Sequence, residues 1–198
     1  MKVTACATTL HVFWHVAMLK GWMDIADEQL SVMANSGLHE CHAGVLGSGS
    51  DMEALICLSE AAGVDLSIDY YSDNFQEYEV PTLTALWKNA AANPEDASLY
   101  FHMKGVSFPE SDSRRDRRHR MQNALIAGWR ESIDAMSGFD SIGLEWQALA
   151  CQSVYPGNFW IASNRWLSQL DAPIKGNREA CEFWISSKPG INVVDIRR

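Results

Sequence analysis

The stretch "LYFHMKGVS", residues 99–107, decides the fold. Leu99, Tyr100 and Phe101 are the apolar and aromatic types that suit a pleated surface. His102 and Lys104 follow two apart, so both side chains leave the same face of an extended chain. Gly105 comes next, where a turn can begin. An apolar strand that finishes in a histidine, a lysine and a glycine points to a ligand. In open α/β sheets, ligands sit at the C-terminal ends of the strands.

Working outward from that strand, the upstream chain alternates between two patterns. "LHVFWHVAM" (10–18) reads as a buried strand. "GWMDIADEQLSVMANSGL" (21–38) has Ile25, Gln29, Leu30 and Met33 at helical spacing and stops at "NSG". "HAGVLGS" (42–48) is a short apolar strand. "DMEALICLSEAAG" (51–63) is a helix with Asp51 near its start and Gly63 after its end. "VDLSIDYYS" (64–72) alternates like a strand. "VPTLTALWKNAAAN" (80–93) opens with Pro81 in a first-turn position and reads as a helix. "ASLYFHM" (97–103) is the next strand. Strands alternating with helices require crossover connections and a largely parallel sheet. Downstream, the pattern predicts one long helix over about 114–137. Then come "FDSIGLEW" (139–146), an irregular stretch, "NFWIASNRWLSQL" (158–170) and a short helix within "NREACEFWI" (177–185). The expected organisation is one domain over 1–198. About 1–110 reads as a nucleotide-binding half, and about 111–198 as the half that would choose a second substrate.

Composition narrows the classes. The chain has 198 residues, 47% hydrophobic and 21% charged, with a net charge of −9. That charge argues against general nucleic-acid binding. No apolar run approaches the roughly 20 residues that cross a bilayer. No signal peptide is read at the N-terminus, so the expected location is cytoplasmic. Cys6, Cys41, Cys57, Cys151 and Cys181 form no CxxC pair and read as reduced thiols. Half of the ten arginines lie within "SRRDRRHR", at 114, 115, 117, 118 and 120. Such a cluster on an acidic chain indicates either an anionic ligand or a solvated helix start paired with Asp112 and Asp116.

Common fingerprints are missing. "GVLGSGSD" (44–51) does not have dinucleotide-loop spacing and reads as a βα turn. No HExxH, GxSxG or zinc-ligand spacing occurs. The His102–Lys104 pair is more informative. A lysine there can neutralise a diphosphate, and a histidine can donate a hydrogen bond or ligate a metal. In "YPGNFWIAS" (155–163), Asn158 beside Trp160 is a sugar-facing combination, or equally a turn before a core strand. Arg178 and Glu182 fall on one helix face at i, i+4. Glu182 precedes "FWI" and so borders a core, a position that suits a general base.

Together "FWHVAMLKGWMDIADEQLSVMANSGL", "YEVPTLTALW", "LYFHMKGVS", "YPGNFWIAS" and "REACEFWI", in this order, resemble a family of small GT-A-type glycosyltransferase domains. That family occurs in bacterial polysaccharide-synthesis proteins and in large algal-virus glycosyltransferases. The resemblance spans about residues 10 to 185. It implies an α/β, Rossmann-related fold with a central mixed, mostly parallel sheet flanked by helices. It implies a nucleotide-diphosphate sugar donor, a UDP-sugar before others, and a glycan or small hydroxyl acceptor. The implied chemistry is glycosyl transfer to a hydroxyl. The chain departs from the GT-A pattern at one place: where many members carry Asp-x-Asp, it reads His102-Met103-Lys104. A cation-bearing side chain there replaces or assists the metal. Asp69, Asp73, Glu77 and Glu79 lie near the preceding strand end. Mn²⁺ or Mg²⁺ stays a candidate cofactor, with Asp73 and His102 as candidate ligands.

On this reading His15 and Val16 touch the nucleobase, and Tyr71 and Asp73 approach the base or ribose. His102, Lys104 and Gly105 face the diphosphate. Asn158, Trp160 and Arg178 line the sugar and acceptor side, and Glu182 is the general base. Two other classes remain open: a nucleotide-sugar-binding module without turnover, and an interaction domain of a larger glycan-synthesis protein.

Overall fold

The computed structural model describes residues 8–109, 111–149 and 152–196. Cys6 and Cys151 lie outside them. Strand β1 (Leu10–Ala17) leads to helix α1 (Trp22–Asn35), β2 (Glu40–Leu46), α2 (Gly49–Ala62) and β3 (Asp65–Ser72). A 3₁₀ turn (Phe75–Glu77), α3 (Val80–Ala92) and β4 (Ala97–His102) follow. These elements match the alternation read from the sequence to within a few residues. Local chemistry explains the boundaries. Ser48 Oγ accepts from the Asp51 backbone N at 3.3 Å to start α2, and Gly63, at φ 72°, ends it.

The downstream helix is not continuous. It divides into α4 (Asp112–Gln122), a π-helical turn (Asn123–Ala127) and α5 (Trp129–Ala135). Gly128 N donates to Asn123 O at 3.0 Å, a wider i→i−5 closure. Past the turn lie β5 (Ser141–Leu144), β6 (Gln147–Ala148), β7 (Ser153–Val154), β8 (Trp160–Ser163), α6 (Asn164–Leu167), α7 (Arg178–Phe183) and β9 (Val193–Ile196). "FDSIGLEW" therefore contributes a strand.

The main sheet has seven strands in the order β3-β2-β1-β4-β8-β5-β9, and β6 and β7 pair separately. Strand β8 runs antiparallel to both β4 and β5, and the other neighbours are parallel. This is a mixed, mostly parallel α/β sheet with helices packed on both faces. Strands from both halves of the chain share it. The core lies on both faces. One face packs Trp14, Val16, Leu30 and Phe101 beneath α1 and the π turn, and the other packs Phe13, Tyr100, Trp160 and Trp184 beneath α3, α6 and α7. Among the described residues no helix is long and apolar enough to cross a membrane.

The order reverses direction at β1, which has β2 on one side and β4 on the other. That is a topological switch point, where strand ends diverge and leave a crevice. His15 and His102 are register partners at this point.

Candidate functional site

A cleft of about 580 Å³ opens at the C-terminal ends of β1, β2 and β4. His15 and His102 enter it from the two strand ends, and Lys104 and Gly105 from the turn beyond β4. Gly105 sits at φ 93°, a region glycine enters without strain, so the chain can turn here. Arg118 is buried and holds the turn: its Nη1 donates to Lys104 O at 3.3 Å, and Nε and Nη2 clamp the Glu28 carboxylate.

Cations converge on this space. Lys104, Arg114, Arg117 and Arg178 all line the cleft. Arg117 Nη2 donates to Glu145 Oε2 at 3.1 Å and Pro156 O at 3.2 Å, while its Nε is buried without a partner. A buried donor left unmade costs free energy, so an anionic ligand beside it is favoured. The arginine cluster is therefore neither one docking surface nor one solvated face. Arg114 and Arg117 turn into the cleft, and Arg118 braces the turn. Arg115 pairs with Asp112 at 2.6 Å, and Arg120 with Glu145 at 3.2 Å. Burial lowers the Lys104 pKa, and the nearby Glu182 carboxylate works against that shift.

The floor of the cleft is Glu79, only 7% exposed. Its Oε2 accepts from Tyr100 Oη at 2.6 Å and Asn158 Nδ2 at 2.5 Å. Its Oε1 lies 3.8 Å from His102 Nδ1. His102 Nε2 is 2.8 Å from Gly157 O, a carbonyl, so Nε2 carries the hydrogen. In the neutral ring, Nδ1 is then a lone pair facing a carboxylate oxygen. Two facing acceptors favour a ligand N–H, O–H or ammonium between them. Gly157 sits at φ 108°, a conformation that a side chain would strain.

Several expected site residues are elsewhere. Asn158 and Trp160 are each 1% exposed and do not face a sugar. Trp160 Nε1 donates to Asn158 Oδ1 at 2.8 Å, and Asn158 in turn positions Glu79. An amide beside an indole reads equally as a buried hydrogen-bond pair, and here the core has taken it. Val16 is wholly buried on the α1 face, whereas His15 reaches the cleft and lies 2.9 Å from Thr82 Oγ1. Tyr71 and Asp73 are exposed on β3 and beyond it, off the cleft lining. Phe75 and Tyr78 line the cleft in their place. Tyr78 sits at φ 51°, a costly conformation for a bulky residue and one that recurs at ligand sites. The sequence reading did not single these two out, and Glu79 entered it only as one of four acids. The available signal was an acidic residue directly before a helix, in "YEVP".

Arg178 and Glu182 lie on α7, whose start Asn177 caps by accepting from Ala180 N at 3.2 Å. Arg178 reaches the cleft, and the two form no ion pair. Glu182 is half-buried and is not among the residues that line the cleft, but it is close enough to act electrostatically on His102, Lys104 and Tyr100.

The donor set does not fit a divalent ion. Among the described residues no three His, Cys, Asp or Glu side chains gather as ligands. Asp73 is outside the cleft, His102 Nε2 is spent on Gly157, and the Lys104 ammonium adjoins what remains. Mg²⁺ and Mn²⁺ favour oxygen-rich sites.

The two strand-end imidazoles set a pH response. Burial pushes His15 from an ordinary 6.5 down to about 4, with Glu79 opposing and His102 assisting. Burial likewise lowers His102 to about 4, helped by Lys104. Both are neutral when folded at neutral pH. Below about 6.5 the unfolded chain takes up protons that the folded chain resists, so stability falls from there towards pH 4. His42, raised by the Asp69 hydrogen bond, works in the opposite sense but is half-exposed and offsets less. Urea titrations at about pH 7.5 and about pH 5 should show a lower midpoint at the acidic value. Equal midpoints would mean that the imidazoles charge freely in the native state.

The model of a family described as Domain of unknown function (DUF8361) matches residues 11–183. No curated protein matches the chain. Solved structures similar to it include two of glucosyl-3-phosphoglycerate synthase from Mycobacterium tuberculosis. One is in complex with Mn²⁺, uridine-diphosphate and glucosyl-3-phosphoglycerate, the other with Mn²⁺, uridine-diphosphate and phosphoglyceric acid. Each is 15% identical with a TM-score of 0.43, and the match covers 83% of this chain. It covers 60% and 58% of those chains, so the present chain spans less than two thirds of their length.

Proposed function

The chain belongs to the DUF8361 family, and we propose that it is a glycosyltransferase that takes its sugar from a nucleoside-diphosphate donor, a UDP-sugar before others. One observation carries this reading: Lys104, Arg114, Arg117 and Arg178 converge on a cleft at the switch point of a mostly parallel sheet. A diphosphate needs that density of positive charge, and this is the end of the sheet where nucleotides bind. Phe75 and Tyr78 would supply aromatic surface for a base, and His15 lines the same cleft.

In the proposed reaction an acceptor hydroxyl oxygen bonds to the anomeric carbon. The bond from that carbon to the diphosphate oxygen breaks, and its electron pair leaves with the diphosphate. Glu182 takes the acceptor proton. Lys104, Arg114 and Arg117 meet the charge that grows on the leaving group. Preformed cations at the point of developing charge lower the barrier without reorganising. Because the donor set does not suit Mn²⁺ or Mg²⁺, these side chains carry the neutralisation themselves.

A thermal-shift screen of nucleotide sugars, run with Mn²⁺ and with a chelator, tests the reading. A donor that binds only the native state raises the melting temperature by mass action, about 2.7 kcal/mol of stabilisation at a hundredfold excess over Kd. The expected shift is the same with chelator as with Mn²⁺. A screen in which no nucleotide sugar raises the midpoint would remove the proposal. Binding without transfer to any hydroxyl acceptor would make the chain a nucleotide-sugar-binding module.

A further inference from the structure

A second cavity, of about 530 Å³, lies on the α3 face of the sheet and shares no lining residue with the cleft. Its origin is local. Helix α3 presses onto β2 at Gly44, where a Cβ would collide with Thr82 Oγ1. Strand β3 is the sheet edge, so a trough remains between it and α3. Phe13 forms the floor, with the His42 ring stacked on it at 5.0 Å and 17°. Val80, Pro81 and Ala85 form an apolar wall.

The polar groups around the trough are unbalanced. The Asp69 oxygens both face His42 Nδ1, at 3.2 and 3.1 Å. Glu77 Oε2 takes the Tyr70 hydroxyl at 2.7 Å, and the Thr84 hydroxyl donates back to Val80 O. Asp69 and Glu77 thus each hold one protein donor on the β3 side of the trough, and on the α3 side a donor is left over. Asn89 Oδ1 accepts from Asn93, but Asn89 Nδ2 is buried with no partner. Lys88 and Lys175 line the same space, and neither makes an ion pair among the described residues. A buried donor without an acceptor is destabilising, and few survive in native structures unless a ligand or water satisfies them.

We propose that this trough is a second ligand site, independent of the transferase reading, for a small organic anion with a flat apolar body. The body lies along the wall of Val80, Pro81 and Ala85. Its carboxylate accepts from Asn89 Nδ2 and meets the Lys88 and Lys175 ammonium groups. Cavities of this size, mostly apolar with a few convergent polar groups, are the usual form of a small-molecule site.

Naphthalene-2-carboxylate is a suitable probe, with naphthalen-2-ylmethanol as its uncharged control. Titration into labelled protein should shift the Asn89 side-chain amide resonances saturably, with the alcohol binding several-fold more weakly. Asn89→Leu keeps the size and removes the donor, together with the Oδ1 that accepts from Asn93. It should weaken the carboxylate about threefold to tenfold, the range for one lost hydrogen bond. The paired variant Lys88→Gln with Lys175→Gln, both on the surface, should weaken it similarly. An unmoved Asn89 amide at about 10 mM carboxylate would overturn the proposal. So would equal binding of the alcohol, or an Asn89→Leu variant that binds as wild type.

Discussion

Replacing Lys104 with alanine should weaken UDP binding about tenfold to a hundredfold, while uridine binding changes little. The expectation follows from where the ammonium sits. Lys104 lies just past the end of β4 at the switch point, two residues beyond His102, with Arg114 and Arg117 across the same cleft. A contact between an ionised donor and phosphate is worth roughly 1.5–3 kcal/mol, which converts to that range of affinity. Burial already works against charge on Lys104, and the Glu182 carboxylate supports it. A diphosphate would supply the missing counter-charge. Uridine has no phosphate and would contact only the His15, Phe75 and Tyr78 end. Calorimetric titration of both ligands into both proteins measures the difference. An equal loss for uridine and UDP would mean that the substitution disturbs the cleft as a whole. Arg118, which holds the Lys104 carbonyl, would then be the better explanation.

The first half of the fold was legible because its signals are local. Alternating strands, the Ser48–Asp51 cap, Gly63 at φ 72° and Pro81 in the first turn of α3 each act within a few residues. The second half depends on long-range pairing. Strands β5, β8 and β9 are four residues each, too short for a periodic pattern, and β8 takes its place only by pairing antiparallel with β4. The π turn before Gly128 broke a helix whose sequence carries no proline to announce a break. The site divides along the same line. His102, Lys104 and Gly105 follow from one strand end, and Arg178 from a helix face. Glu79 becomes prominent only when Tyr100 and Asn158, 21 and 79 residues away, converge on its Oε2. Asn158 and Trp160 were read towards a sugar because nothing in a local motif tells an outward amide from one that donates inward.

The largest expected effect is at Glu182. Glu182→Gln nearly preserves shape and removes basicity, so turnover should fall about 10²–10⁴-fold with donor affinity little changed. Helix α7, which carries Glu182, is fixed to the body of the protein. Cys181 is buried, and Trp184 Nε1 donates to Asp171 O at 2.9 Å while its ring packs against Trp160. The carboxylate is therefore carried on a fixed helix rather than on a loop, near enough to Lys104 and His102 to influence both. Glu79 is the alternative carboxylate, but its Oε2 is already committed to Tyr100 and Asn158, and its Oε1 faces His102 on the cleft floor. That geometry suits holding a donor group of the ligand in place, not receiving a proton and releasing it to solvent. The two acids are separable by experiment. Glu79→Leu should lower the melting temperature, because it leaves the Asn158 amide and the Tyr100 hydroxyl buried without their acceptor. Glu182→Gln should leave melting nearly unchanged. Turnover of the folded fraction and the melting temperature, measured on one sample of each variant, decide the assignment. A Glu182→Gln enzyme that melts early yet turns over normally once folded would make Glu182 a brace for α7 and leave the base to be found elsewhere in the cleft.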